Sequence, residues 1–266
     1  MPPVLNVKAL SMEFGGLLAL DSIDLAINPG EIVALIGPNG AGKTTFFNCI
    51  TGIYQPTGGD IFVCRPGGEP ERINNLKPNR ITAKGLARTF QNVRLFPNMT
   101  ALENVMVARH CRTKTGIIGA IVKTRRAQDE ERDSVRTAYR LLKRFQLEDR
   151  VNTLAKELAY GEQRRLEIAR ALATDPFLLL LDEPAAGMNP KETHALMDFI
   201  RAIRDLFGLT IMLIEHDMRV VMGICEHIWV LDYGLLIAEG PPSFIQSNKR
   251  VIEAYLGEEY ARYVDN

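Results

Sequence analysis

The first sixty residues alternate apolar and polar positions with a period of two. Val4 to Phe14 and Leu18 to Ile27 predict two strands, antiparallel and turning at Gly15-Gly16. Glu31 to Ile36 is short and mostly apolar, as a parallel strand covered on both faces is. It runs into a glycine-rich turn and a helix from about Gly42 to Thr51. Ile61 to Cys64 and Leu86 to Phe90 are further strand candidates. The stretch between them, with Arg65-Pro66-Gly67-Gly68 and Lys77-Pro78-Asn79, predicts loop. From Thr100 to about Ala173 the pattern turns helical: Val135, Ala138, Leu141, Leu142 and Phe145 form a 3.6-residue stripe within Glu130 to Leu147. The strand–helix alternation then resumes. Phe177 to Asp182, Thr210 to Glu215, His227 to Leu231 and Leu235 to Glu239 predict strands, and Lys191 to Leu206 a helix. A short C-terminal helix includes Val251 to Leu256. The pattern predicts an α/β core with an N-terminal antiparallel β subdomain and a helical insert at about 100–173.

Composition narrows the function classes. The chain has 266 residues, 46% hydrophobic and 24% charged, which is globular composition for one or two domains. Lysine plus arginine and aspartate plus glutamate both total 32, so bulk charge argues against a nucleic-acid partner. The longest apolar runs, such as Phe177 to Leu181 and Gly116 to Val122, fall well short of the ~20 residues of a membrane span. The N-terminus lacks a basic region followed by an apolar stretch. Cys49, Cys64, Cys111 and Cys225 are too scattered for a CxxC metal site, and three of them read as small buried residues. These features predict a reduced, soluble, cytoplasmic chain. Between Arg109 and Arg150 there are 12 basic and 6 acidic residues. That insert is either a solvated helical face or a surface meeting anionic lipid and partner loops. The apolar Gly116 to Val122 inside it either docks a partner or fills the helical lobe.

Gly37-Pro38-Asn39-Gly40-Ala41-Gly42-Lys43-Thr44 fits G-x-x-x-x-G-K-[ST] in full, between a predicted strand and a predicted helix. Glycines let successive backbone N–H groups turn inward around phosphate oxygens, and the helix start adds positive potential. Lys43 then carries a full charge for the β- and γ-phosphates, Thr44 a hydroxyl for Mg²⁺, and Thr45 follows in the ATP-binding set. Leu178 to Leu181 is an apolar strand ending in Asp182 and Glu183. With a phosphate loop nearby, Asp182 suits the magnesium shell, and Glu183 suits a base that takes a proton from water.

Leu158-Ala159-Tyr160-Gly161-Glu162-Gln163-Arg164-Arg165-Leu166-Glu167-Ile168-Ala169-Arg170-Ala171-Leu172 precedes that strand. It resembles the signature motif of ABC-type ATPases, whose usual core is Leu-Ser-Gly-Gly-Gln. The resemblance covers the chain from Val4 to about Gly257 and implies a P-loop ATPase domain over 1–257 with a C-terminal tail at 258–266. It implies that Ala159, Tyr160, Gly161 and Glu162 face a nucleotide on an opposing subunit. By the same resemblance Phe14 stacks on adenine, and Gln91 senses magnesium and the attacking water. Ala186 to Asn189 crosses the dimer interface, and His216 contacts the γ-phosphate. Alone, Phe14 would read as a core aromatic, Gln91 as a polar loop residue and His216 as a satisfied polar group. Their order along the chain is what raises them.

Two departures stand out. Ala159, Tyr160 and Glu162 replace Ser, Gly and Gln, which removes a hydroxyl donor, and Asn189 replaces an aspartate. The segments Leu158 to Arg170 and Leu181 to Pro190, with the ending Val251 to Gly257, resemble the ATPases of branched-chain amino acid importers. That resemblance implies ATP and Mg²⁺ as cofactors and a second ATPase subunit, identical or paralogous. It also implies transmembrane permease subunits, a periplasmic solute-binding protein, and a peripheral place on the cytoplasmic face of the inner membrane. The alternatives are an importer ATPase for another amino acid, urea or an amide, and a lipopolysaccharide-export ATPase. Exporters of that kind generally keep Ser-Gly-Gly in the signature. A remoter alternative is a non-transport ABC ATPase. Repair clamps carry a long coiled coil and translation factors two cassettes, whereas this chain has one P-loop and no such heptad run.

Overall fold

The computed structural model describes residues 2–91, 93–112 and 124–255. Asn92, Gly116 to Val122, Leu256, Gly257 and the tail lie outside the described residues. In chain order the elements are β1 (Leu5–Phe14), β2 (Leu17–Ile27), β3 (Ile32–Ile36), α1 (Lys43–Ile50), β4 (Gly58–Val63), β5 (Glu71–Arg72), α2 (Pro78–Lys84) and β6 (Leu86–Arg88). There follow α3 (Ala101–Arg109), α4 (Arg125–Arg144), α5 (Tyr160–Leu172), β7 (Leu178–Asp182) and α6 (Pro190–Phe207). Next come β8 (Thr210–Ile214), α7 (Met218–Ile224), β9 (His227–Asp232), β10 (Leu235–Gly240) and α8 (Pro242–Ser247), and residues 249–255 are helical, as expected around Val251. They form two compact units, one from residues up to Ile81 with those from Phe177 onward, the other Thr82–Pro176.

The first unit holds two sheets. β1 pairs antiparallel with β2, from Leu5 opposite Ile27 to Phe14 opposite Leu17, and the order continues β2-β1-β4-β5. Leu5 and Val7, then Leu10 and Met12, turn inward, so the period-two alternation marks the inner face of this sheet but slips by one residue at the register shift between Val7 and Leu10. The second sheet runs β10-β9-β3-β8-β7, parallel except for β10. Every residue of β3, β7 and β8 is buried, which is why these strands read as unbroken apolar runs. α6 starts on a reciprocal cap. The Asn189 side chain accepts from Lys191 and Glu192 N–H at 3.0 Å each, Glu192 accepts from Asn189 N–H at 2.9 Å, and Pro190 supplies a preset φ.

The second unit contains α3, α4 and α5. Thr100 and Glu103 form a capping box that opens α3. Buried Asn104 accepts from Phe96 N–H at 2.8 Å and donates to the Phe96, Met99 and Thr100 carbonyls, which shapes the loop before the helix. Among the described residues no helix is long and apolar enough to cross a membrane.

Three expectations change. The stretch after Cys64 is not all loop: β5 adds to the first sheet, and Pro78 starts α2 at a position where its missing N–H costs nothing. The strand expected to reach Phe90 stops at Arg88. Val135 is 37% exposed, and the buried stripe of α4 runs instead through Ser134, Ala138, Leu141 and Leu142, to Phe145 at its end. Ser134 is tolerated there because its hydroxyl donates to the Glu130 carbonyl at 2.8 Å. Cys49, Cys64 and Cys225 are buried and Cys111 exposed. Burial pushes the Cys49 thiol up to about 12, so it stays a thiol at neutral pH.

β7 carries the acidic pair at its end, and its middle is sealed on both faces. Leu180→Ala should therefore lower the unfolding free energy by about 2–5 kcal/mol, read as a lower urea midpoint at unchanged slope. A variant as stable as wild type would show that β7 does not hold this core.

Candidate functional site

In the first unit, parallel register decides which residues meet. Leu35 of β3 lies opposite Ile214 of β8, and Ile214 lies opposite Asp182 of β7. On the other side of β3, Ile36 lies opposite Val230 of β9. The segments leaving these strands therefore emerge side by side at the carboxyl edge of the sheet, where α/β proteins bind ligands. They are Gly37 to Thr44, Glu183 to Asn189, Glu215 with His216, and the turn at Tyr233-Gly234.

The glycine-rich turn is compressed against its neighbours. Gly37 has φ +149°, and a Cβ there would overlap the Leu231 carbonyl oxygen. Gly42 has φ +105°, and a Cβ there would meet the Ala19 carbonyl oxygen at 2.6 Å. Only glycine allows both the backbone angle and the approach. The far side of the loop is held by Gly234 N–H, which donates to the Ala41 carbonyl at 3.0 Å. Lys43 is buried, and its Nζ donates to the Gly37 and Pro38 carbonyls at 2.6 and 2.8 Å. Its ammonium is thus held within the loop that the sequence assigns to phosphate. Thr44 is exposed and Thr45 half-buried at the start of α1.

Across the edge, Asp182 is buried and Glu183 continues the ladder, donating its N–H to the Ile214 carbonyl at 2.9 Å. Glu183 Oε1 lies 2.8 Å from His216 Nε2. With the carboxylate ionised, Nε2 carries the proton and donates it. Behind this pair lies Glu215, a functional residue that sequence reasoning misses. One oxygen accepts Ala185 N–H at 2.7 Å; the other accepts His216 N–H at 3.0 Å and Asp217 N–H at 3.2 Å. The buried carboxylate ties the segment after Glu183 to the segment carrying His216. Burial pushes Glu215 above the usual carboxylate range; the three N–H donors pull the other way, and the Glu183 charge adds to the rise. Phe14, at the end of β1, is 39% exposed and packs edge-on against Tyr54 with ring centres 5.2 Å apart. It presents an aromatic face to solvent rather than filling the core.

Gln91 and residues 159–162 belong to the second unit. Gln91 is exposed, and so are Ala159, Tyr160 and Gly161 at the start of α5. Ala159 has no side-chain oxygen with which to cap the helix. Glu162 reaches back to accept Ala159 N–H at 3.0 Å and pairs with Arg150 at 3.2 Å. Two residues that sequence reasoning passed over, Arg164 and Glu167, join α5 to the backbone around Gln91. Both are charged residues at buried positions of a helix, a break in the apolar stripe that would have been the signal. Among the described residues no cluster of three or more His, Cys, Asp or Glu could hold a metal ion.

The chain is similar to known proteins over most of its length. The ABC transporter family model matches residues 20–186, and a model for branched-chain amino acid ATP-binding cassette transporters matches 236–261. The high-affinity branched-chain amino acid transport ATP-binding protein LivG of Escherichia coli strain K12 is 50% identical over 259 residues, covering 96% of this chain and 98% of that protein. The ADP conformation of MJ1267, an ATP-binding cassette of an ABC transporter, superposes with a TM-score of 0.82 at 30% identity, covering 97% of this chain and 100% of that one. The dimeric structure of MJ0796, a bacterial ABC transporter cassette, gives 0.72 at 27% identity, covering 90% and 98%.

Glu215 yields a pH-dependent prediction. Its folded pKa is raised, so its contribution to stability is complete below the unfolded value and is lost as pH rises through the folded one. The stability advantage of wild type over Glu215→Gln should shrink as pH climbs from about 4, near the unfolded glutamate value. Urea titrations of both proteins at stepped pH measure it. A difference independent of pH would show that burial does not raise this group.

Proposed function

The chain belongs to the ABC transporter ATP-binding family, and from that membership we propose that it is the ATP-hydrolysing subunit of an importer of branched-chain amino acids. Two ATPase subunits close head to tail around two ATP molecules, each between one subunit's P-loop and the other's 159–162 segment. The second subunit is a copy of this chain or a paralogue. Separate permease subunits cross the membrane, a periplasmic solute-binding protein delivers the amino acid, and this chain works peripherally on the cytoplasmic face. The near full-length identity to LivG and the C-terminal family match support the cargo; the dimeric relative supports the pairing. The observation that carries the hydrolytic reading is the 2.8 Å Glu183–His216 pair, at the ends of β7 and β8, with β8 beside the strand that feeds the P-loop.

In this reading Gly37, Pro38, Asn39, Gly40, Ala41, Gly42, Thr44 and Thr45 wrap the ATP phosphates. A cradle in which a Cβ at Gly37 or Gly42 would collide with backbone leaves its N–H groups close to the ligand. Lys43 exchanges its two carbonyl partners for β- and γ-phosphate oxygens, and Phe14 lays its exposed ring on adenine. The Thr44 hydroxyl and the Asp182 carboxylate are hard oxygen donors that would hold Mg²⁺, to which the family resemblance would add the Gln91 amide oxygen, and few such ligands suffice when phosphates supply the rest. When bound, that ion neutralises charge on the β- and γ-phosphate oxygens. Glu183 takes a proton from water as the water oxygen bonds to the γ-phosphorus and the bond to the ADP oxygen breaks. His216 Nε2–H holds the Glu183 carboxylate in place, and with ATP bound that same N–H is the donor for the γ-phosphate. Ala159 brings no hydroxyl and Glu162 is turned back on its own helix, so residues 159–162 meet the opposing nucleotide through backbone N–H groups.

Lys43→Ala should abolish ATP binding, measured by nucleotide titration, with a native circular-dichroism spectrum. Glu183→Gln should keep ATP affinity and lose about 10²–10⁴-fold in turnover, the usual worth of a general base. It should also accumulate as an ATP-bound dimer on a sizing column; wild-type hydrolysis by this variant would place the base elsewhere. Deleting the gene should depress high-affinity uptake of labelled leucine, isoleucine or valine, and Lys43→Ala should not restore it. Intact uptake of all three, with loss of another solute, would overturn the cargo and leave the ATPase reading standing.

A further inference from the structure

We propose that Arg164 and Glu167 are positioning residues for ATP hydrolysis: buried on α5, they fix the backbone that carries Gln91 and lock it to the helix whose start bears residues 159–162. The inference rests on the role proposed above for Gln91. Arg164 is 3% exposed and Glu167 1%, and they pair at 3.0 Å between Nη1 and Oε2. Both also reach one short segment outside the helix. Arg164 Nη1 donates to the Phe90 carbonyl and Nη2 to the Gln91 carbonyl, each at 2.8 Å. Glu167 Oε1 accepts the Phe90 and Arg94 N–H groups, each at 3.3 Å. Two donors and two acceptors of residues 90–94 are therefore held by a single fork and a single carboxylate. The Phe90 ring is covered by the Arg94 guanidinium, 4.2 Å from the ring centre.

Stability alone does not explain this arrangement. Desolvating two charges costs free energy that their attraction only partly returns, and apolar residues of similar size generally fill such a site as well or better. What the pair supplies is geometry. A planar guanidinium with donors in a fixed fork reaches two successive carbonyls at once, which an apolar residue or a lysine does not. Gln91 itself is exposed on a loop, so where its side chain starts from depends on how its backbone is held. Through the pair, the residue proposed to sense magnesium and water and the helix proposed to face the opposing nucleotide become parts of one rigid piece. Gln91 and residues 159–162 then shift together, not separately.

The test is a double-mutant cycle in turnover, on the complex purified from its host through a tag on this chain. Arg164→Met should lower turnover by about tenfold, within the coupling range of residues in one hydrogen-bond network, with ATP affinity unchanged. In a Gln91→Ala background the same substitution should have almost no further effect, because it acts through Gln91. A role in stability alone would give the same fractional loss in both backgrounds, and that result would overturn the inference. If Arg164→Met does not fold, Glu167→Gln, which keeps the volume and removes the charge, is carried through the same cycle with the same criterion. Normal turnover by Gln91→Ala alone would instead overturn the underlying reading of Gln91. A drop on Gln91→Ala with none on either partner substitution would sink the positioning role and leave that reading intact.

Discussion

Parallel pairing puts Leu35, Ile214 and Asp182 abreast across β3, β8 and β7, so three segments must leave the sheet at one level. The edge is crowded as a result. The Leu231 carbonyl occupies the space a Cβ at Gly37 would need, and the Gly234 N–H closes on the Ala41 carbonyl. Crowding leaves backbone groups to do the shaping, and the side chains admitted there are those that satisfy them. Lys43 answers two carbonyls and Glu215 answers three N–H groups. The chemistry of the site is thus the by-product of meeting hydrogen-bond demand at a packed strand edge.

The two units meet the same demand in the same way. In the first, a buried carboxylate is shared between the segments of Glu183 and His216. In the second, a buried ion pair is shared between α5 and the segment of Gln91. Both use charge where an apolar residue would leave a loop's N–H and C=O groups without partners, and both convert a flexible connection into a fixed one. Neither arrangement touches the reacting atoms in the proposed mechanism. Each acts on a residue that does.

This difference accounts for what was legible in the sequence. The P-loop and the Leu178 to Glu183 run are read from consecutive residues, because their chemistry depends on local backbone shape and on strand burial. The antiparallel start and the buried strands follow from periodicity for the same reason. Glu215 and Arg164 were not legible, since a charged residue's burial depends on which distant backbone groups come to meet it. Glu215 is 30 residues from Ala185, and Arg164 is 73 from Gln91. Val135 failed for a related reason: a stripe drawn from apolar residues alone passes over Ser134, which the helix buries by lending it a carbonyl. Pro78 reads as a loop marker beside Lys77 and Asn79, although the same ring geometry opens a helix when it stands first.

The backbone of Glu183 shows the edge's constraint at its sharpest. Its N–H bonds the Ile214 carbonyl and so continues the parallel ladder one residue past β7. Three residues later Ala186 N–H bonds the Glu183 carbonyl at 3.2 Å, so the chain must reverse at once. The reversal puts Glu183 at φ +47°, a left-handed conformation that costs a residue bearing a Cβ roughly 1–2 kcal/mol. Glycine would relieve that strain and would carry no carboxylate. Extending the strand would relieve it too, but would carry the side chain away from His216. A carboxylate is kept at a position whose backbone favours glycine, and the 2.8 Å contact with His216 exists because it is. The turn alone is met elsewhere in the chain, at Ala9 and Ser22 among others, and what sets Glu183 apart is the partner its side chain reaches.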